Sequence, residues 1–175
     1  TIATGRMYEA ALPVAHALGV DAPIISYNGA LIQSPDGRIY EEHTVPVATA
    51  HEIFSFCRTR DWYIQGYSGG HLRYAAHTEE AAFYEHSQKV TGEAVGWEGL
   101  FAHAAGNCKL LLVTQGRTET LQRSEEILSA FGEYVDVTRS ADRLIEIVPK
   151  GVSKASALRA LAAKLGIAIA ETMAI

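Results

Sequence analysis

The sequence runs to 175 residues, of which 48% are hydrophobic, 20% charged and 9% aromatic, and that length and balance describe about one folded globular domain and exclude disorder. Lys+Arg 15 against Asp+Glu 20 leaves a net charge of −5 with no basic stripe, which argues against nucleic acid or an anionic membrane surface as partner. No apolar run approaches the ~20 residues of a bilayer span, and Cys57 and Cys108 form neither a CxxC motif nor a disulfide framework, which points to a reducing, cytoplasmic compartment.

In chain order, Ile2-Ala3 reads as the end of a strand that enters a turn at Thr4-Gly5-Arg6. A helix follows, with Ala10, Val14, Ala17 and Leu18 on one face, Pro13 awkward inside it and Gly19 as its stop. Pro23 to Tyr27 reads as a buried strand that ends at Asn28-Gly29. The stretch Ser34-Pro35-Asp36-Gly37 predicts a hairpin between two short strands, because Asp-Gly supplies the turn geometry. After Pro46, Thr49 with Glu52 predicts a capping box ahead of Ile53, Phe54 and Cys57. Trp62-Tyr63-Ile64 and Leu72-Arg73-Tyr74 bracket Ser68-Gly69-Gly70 as a second hairpin, and Thr78 caps a helix running to about Val90. Gly92 to Gly106 gives no clear pattern. Lys109 to Thr114 reads as a strand, Thr118 to Phe131 as a helix with Leu121, Leu128 and Phe131 inward, and Val135 to Val137 and Leu144 to Val148 as strands. Ser153 caps a last helix with Leu158, Leu161 and Leu165 inward and Gly166 at its end, and Met173 to Ile175 begins another strand.

The outer thirds therefore alternate strand and helix like a parallel α/β sheet, while the middle mixes hairpins with helices as an α+β unit does. The middle reads as an insertion into the outer part. The chain begins without Met and closes on an apolar stretch, so both ends read as strands cut mid-stride and as the edges of a piece of a longer protein.

Three spots could carry chemistry. At Thr4-Gly5-Arg6 a hydroxyl, a glycine amide and a helix start at a strand's carboxyl end make a ready anion site, to which the Arg6 guanidinium could add a bidentate grip. Taken alone it is a common turn. Asn28-Gly29 ends the next strand, either as a simple turn or with the Asn28 amide in the same crevice as Thr4. Lys154 sits in a first helical turn, where a cation opposes the macrodipole, so it reads either as solvated or as a neutraliser of phosphate or carboxylate. The seven histidines show no metal-ligand spacing, no GxGxxG follows a strand, and Asp136-Val137-Thr138 lacks the second Asp and the Gly-Thr turn of an aspartyl nucleophile.

Together, Ile2-Ala3-Thr4-Gly5-Arg6, Pro23 to Ala30, and Leu144 to Ile147 with Gly151-Val152-Ser153-Lys154 closely resemble the Cof-type hydrolases. These are haloacid dehalogenase (HAD) superfamily phosphatases of subclass IIB, in which a C2-type cap interrupts a Rossmann-like core. The resemblance implies an α/β fold with a partial HAD core at 1–45 and 149–175 around an inserted α+β cap at 46–148. It implies a Mg²⁺-dependent phosphohydrolase of small phosphorylated metabolites, sugar phosphates above all, working through an aspartyl-phosphate. Thr4 and Lys154 would then be catalytic, Thr4 holding phosphoryl oxygens and Lys154 offsetting charge, with Gly5, Arg6, Asn28 and Gly29 binding phosphate. On the cap, Arg73 and Lys109 are the candidates for setting specificity, beside His71 and Tyr74, although each also reads as part of an exposed strand face. The family's Asp-x-Asp-Gly-Thr motif would precede Thr1 and its Gly-Asp-x-x-Asn-Asp motif would follow Ile175. They supply the nucleophile, the general acid and the acidic metal ligands, so the chain as written is expected to be inactive and to hold no metal. The competing reading is a non-catalytic module that binds a ligand or partner; neither reading fixes an oligomeric state.

Overall fold

The computed structural model describes residues 1–173. In chain order its elements are α1 (Tyr8–Ala17), β1 (Ile24–Ser26), β2 (Leu31–Gln33), β3 (Ile39–Glu42), α2 (Val47–Thr59), β4 (Gln65–Ser68), β5 (His71–Tyr74), α3 (Glu79–Gln88), β6 (Glu93–Ala94), α4 (Gly96–Ala102), β7 (Asn107–Val113), α5 (Arg117–Phe131), β8 (Val135–Ala141), β9 (Leu144–Pro149) and α6 (Lys154–Lys164). Short 3-10 turns occupy Tyr27–Gly29 and Ile169–Glu171. The strand expected to begin at Met173 lies mainly outside the described residues.

The chain divides into two compact units, one from Thr1–His43 with Gly151–Ile175 and one from Thr44–Lys150. In the first, β1, β2 and β3 form an antiparallel sheet, with the β2–β3 hairpin where it is expected. The connections explain it: a tight turn at Tyr27–Gly29 and the Ser34–Gly37 turn, with Gly37 at φ +92°, are far too short for parallel crossovers. Among the described residues of this unit the parallel pairing is the bridge from Ala3 to Ile25, at the expected Ile2-Ala3 strand. Ile25 and Ile32 pack on Ala157 and Leu161 of α6 as this unit's core. Leu161 is inward as expected and Leu158 packs at the margin, but Leu165 is 45% exposed.

α1 also turns a different face inward. Tyr8, Ala11 and Ala15 are buried while Val14 and Leu18 are exposed, and the helix runs through Pro13. Apolar residues ring most of this helix, so their spacing selects no face; the small Ala11 and Ala15 permit the close approach.

The second unit is a six-stranded sheet in the order β6-β5-β4-β7-β9-β8, antiparallel except where β5 meets β6. Leu110, Leu112, Ile145 and Ile147 point to one face, which packs on Ile53, Phe54 and Cys57 of α2, Leu100 of α4, and Ile127 and Phe131 of α5. α2 begins at Val47 behind Pro46, so Thr49 is a buried helical residue and not a cap. In α5, Leu121 and Leu128 are exposed, while Thr120 and Ser124 are buried beside Ile127. The inward hydroxyls are satisfied: Thr120 Oγ1 donates to the Asp142 carbonyl at 2.7 Å and Ser124 Oγ to the Thr120 carbonyl at 2.6 Å. Their burial is therefore tolerable. The Thr78 and Ser153 caps form as expected.

The opposite sheet face carries a polar cluster. Gln65 Nε2 donates to the Tyr67 hydroxyl, Tyr63 donates to Gln65 Oε1, and Tyr74 donates to Glu85 Oε1. Burial pushes the Tyr63 and Tyr67 phenols well above their usual range and, with the hydrogen bond to Glu85 adding to it, pushes Tyr74 to about 12. An unfolded tyrosine ionises near pH 10, so above that pH the unfolded chain binds fewer protons than the folded one and stability falls as pH rises. The expected result in a phenolate absorbance titration is that these three of the eight tyrosines stay silent past pH 11 and appear together on alkaline unfolding. Smooth titration of all eight near 10 would contradict this packing.

Candidate functional site

Three stretches distant in sequence converge within the first unit. The Thr4 N–H donates to the Ile25 carbonyl at 2.8 Å, the Asn28 N–H to the Thr4 carbonyl at 3.0 Å, and the Tyr27 N–H to the Arg6 carbonyl at 2.9 Å. The loop through Thr4, Gly5 and Arg6 is thereby laced to the carboxyl end of β1. Within it the Arg6 N–H donates to Thr4 Oγ1 at 3.1 Å, which uses a lone pair and leaves the hydroxyl proton to donate outward.

The turn after β1 is strained. Tyr27, Asn28 and Gly29 have φ of +47°, +61° and +109°, and left-handed geometry at a residue as bulky as tyrosine costs on the order of 1–3 kcal/mol. Tyr27 is anchored by its hydroxyl, which donates to Glu9 Oε2 at 3.0 Å. Gly29 explains the geometry, because a Cβ there would lie 2.3 Å from the Ser153 carbonyl oxygen and 3.0 Å from the Lys154 nitrogen. Only a glycine lets this turn lie against the first turn of α6.

That first turn is capped reciprocally. The Ser156 N–H donates to Ser153 Oγ at 3.0 Å and the Ser153 N–H to Ser156 Oγ at 2.8 Å. It contains no acidic residue, and Lys154 is its first helical position. The Lys154 and Arg6 side chains are exposed and form no ion pair among the described residues, while Asn28 is buried. Thr4, Gly5, Arg6, Asn28, Gly29 and Lys154 thus gather a hydroxyl, backbone amides, a side-chain amide and two cations around a helix N-terminus, a set that attracts an oxyanion. They supply no carboxylate. Mg²⁺ takes near-octahedral oxygen ligation through carboxylates, so this donor set does not fit Mg²⁺.

The two candidates for setting specificity, Arg73 and Lys109, belong to the second unit. Arg73 is tied to its own hairpin, with Nε 3.1 Å from Glu93 Oε2 and the guanidinium donating to Ser68 O and Oγ at 3.1 Å. Lys109 does not sit on an exposed strand face: it is 0% exposed, 3.4 Å from Glu146 Oε1, and its ammonium lies 4.9 Å from the Tyr67 ring centre. Tyr27 and Ser156, which shape the turn and the cap, are missed by sequence reasoning. Ser156 could have been found from Ser153-x-x-Ser156 as a weak capping pattern, whereas nothing local marks Tyr27.

An α/β unit whose chain is interrupted by a second, α+β unit, with an oxyanion-attracting cluster at a strand's carboxyl end, defines the structural class of the chain. Residues 1–175 match the haloacid dehalogenase-like hydrolase family throughout, and the chain belongs to that family. The HMP-PP phosphatase of Serratia proteamaculans is 28% identical over 175 residues, covering 99% of this chain and 63% of that protein. The X-ray structure of TM0651 from Thermotoga maritima superposes with a TM-score of 0.81 at 27% identity, over 94% of this chain and 62% of that one. The HAD subclass IIB sugar phosphatase BT4131 shares the fold with a TM-score of 0.82 at 16% identity, over 98% of this chain and 64% of that one. The chain thus spans a little under two thirds of the length of these relatives. Among the described residues no helix is long and apolar enough to cross a membrane.

Proposed function

We propose that this chain is the phosphate-gripping and cap-bearing part of a phosphohydrolase that acts on a small phosphorylated metabolite, a sugar phosphate by preference. The observation that carries the reading is the close approach of Gly29 to Ser153 and Lys154. It brings the third motif against the turn that the first motif already hydrogen-bonds. In this reading the Thr4 hydroxyl and Gly5 amide hold the phosphoryl oxygens, Lys154 offsets their charge, and Arg6 and Asn28 orient the ligand from the rim. The Thr44–Lys150 unit is the cap that selects the leaving group.

The six residues bind and neutralise but include no carboxylate to attack phosphorus. An Asp nucleophile, the proton donor to the leaving alcohol and any Mg²⁺ ligands belong to other residues of the whole enzyme. The 175-residue chain alone is therefore expected not to turn over p-nitrophenyl phosphate with Mg²⁺. In the full-length product of the gene, Lys154→Ala and Thr4→Val are each expected to lower kcat/KM by about 10²-fold, the effect of removing one preorganised donor from a developing oxyanion, with partial recovery in Lys154→Arg. Unchanged kinetics in both variants would refute the assignment.

A further inference from the structure

The Thr44–Lys150 unit contains a cavity of about 270 Å³ whose walls include Trp62, Tyr63 and Trp97 together with Asp61 and Glu80. Both tryptophans of the chain are in it, and no basic side chain lines it. Ala75, Ala76 and Ile64 complete an apolar floor.

Asp61 is the unusual member. The Trp62 N–H donates to the Cys57 carbonyl at 2.9 Å and the Asp61 N–H to the Arg58 carbonyl at 3.3 Å, which closes the carboxyl end of α2. Asp61 stands just past that end at φ +54°, the position and backbone geometry that favour glycine. A carboxylate there also opposes the helix macrodipole. Stability alone would choose glycine on both counts, yet the residue is an aspartate whose exposed carboxylate forms no ion pair among the described residues. Glu80, on the cavity's other side, accepts from Gln115 Nε2 at 2.6 Å. Burial would raise its carboxyl, but hydrogen bonds from Thr78 and Gln115 hold it below the usual carboxylate range, so it is ionised at neutral pH.

Trp62 already carries two guanidiniums of its own, which leaves the rings of Tyr63 and Trp97 for a ligand. Arg123 lies 4.6 Å and Arg60 5.7 Å from the Trp62 ring centre, and Arg123 is also paired with Glu119. Arg143, which acts on Glu80 through its charge, stacks 3.9 Å over the Phe83 ring. The cavity therefore combines electron-rich ring faces, two carboxylates and the carbonyl end of a helix, and all three attract positive charge. We infer that it is a binding site for a small organic ammonium with an apolar body, held by Tyr63 and Trp97 and neutralised by Asp61 and Glu80. The inference rests on this unit alone and stands or falls separately from the phosphohydrolase reading.

Choline and its uncharged carbon isostere, 3,3-dimethylbutan-1-ol, are the probes, with tryptophan quenching and the ring-current shift of the probe's methyl protons as readouts. Choline is expected to bind saturably and about tenfold tighter than the isostere, the discrimination of a partly desolvated cation–π site. Trp97→Ala is expected to abolish the methyl shift. Asp61→Gly separates the site from the fold, since it should raise Tm by relieving the left-handed aspartate while weakening choline about fivefold. Equal binding of the two probes, no saturable binding of either, or an Asp61→Gly variant that binds choline as tightly as the parent would each overturn the inference.

Discussion

Replacing Gly29 by alanine is expected to destabilise the Thr1–His43 and Gly151–Ile175 unit by about 2–6 kcal/mol, a large share of the roughly 5–15 kcal/mol that holds a typical domain together. Two independent costs add. At φ +109° a side chain is strained wherever it points, at on the order of 1–3 kcal/mol. The new methyl would also sit 2.3 Å from the Ser153 carbonyl oxygen and 2.5 Å from its carbon, and overpacking against backbone that cannot rotate away costs a further ~1–3 kcal/mol. Relief comes only by moving the first turn of α6, which carries Lys154 away from Thr4 and Asn28. Gly37 is the control: its φ is +92°, but a Cβ there meets nothing within 4 Å. Gly37→Ala should therefore cost the strain alone, about 1 kcal/mol. Both tryptophans lie in the other unit, so amide exchange in α6 and β1–β3 is the measurement that reports this loss. Equal exchange rates in the Gly29→Ala and Gly37→Ala variants would show that the contact with Ser153 carries no weight.

The features legible in the sequence are those encoded by one or two adjacent residues. Asp36-Gly37 announces a hairpin because few other pairs accept the turn, and Thr78 and Ser153 announce helix starts because a hydroxyl can satisfy an orphan N–H. The Thr4, Asn28 and Lys154 cluster was legible only through a resemblance that joined three turns, each ordinary by itself. What stayed hidden depends on distant partners. Nothing near Tyr27 says that it will take a left-handed backbone, since its stability comes from Glu9, Arg6 and the helix that Gly29 touches. The inward face of α5 was misread because Leu121 and Leu128 are the stronger apolar signals. Thr120 and Ser124 go inside only because Asp142 and the helix's own carbonyls accept their hydroxyl protons. In the first sheet the β2–β3 pairing follows from Asp36-Gly37, whereas the antiparallel β1–β2 pairing depends on the tight Tyr27–Gly29 turn, which no local residue type announces.

Lys109 is the residue whose meaning changes most, and its variants carry the second large effect. Removing one member of a buried ion pair strands the other charge, so Lys109→Met and Glu146→Leu are each expected to destabilise the Thr44–Lys150 unit by about 3–5 kcal/mol in urea unfolding followed by tryptophan fluorescence. The double variant should recover most of that, because an apolar pair of similar volume needs no desolvation of charge. Burial pushes the Lys109 amine down, and Glu146 pulls it part of the way back. Without Glu146 the amine falls further, and between its folded value and 10.5 the unfolded chain binds the extra proton. Glu146→Leu should therefore gain stability as pH rises from 7 towards 10. A costly pair needs a reason, and the strand supplies one. The run Lys109-Leu110-Leu111-Leu112-Val113 has no alternation of its own, yet it pairs with Glu146 beside Leu111 on one side and with Tyr67 opposite Lys109 on the other. A slip by one residue would turn the ammonium into the face packed by Phe54, Ile127 and Phe131. The pair thus holds β7 in register, and the double variant should keep its stability while losing uniqueness, with broadened amide resonances along β4, β7 and β9. A double variant as sharply resolved as the parent would leave the register to the neighbouring turns, and single variants costing less than about 1 kcal/mol would mean that water reaches Lys109 after all.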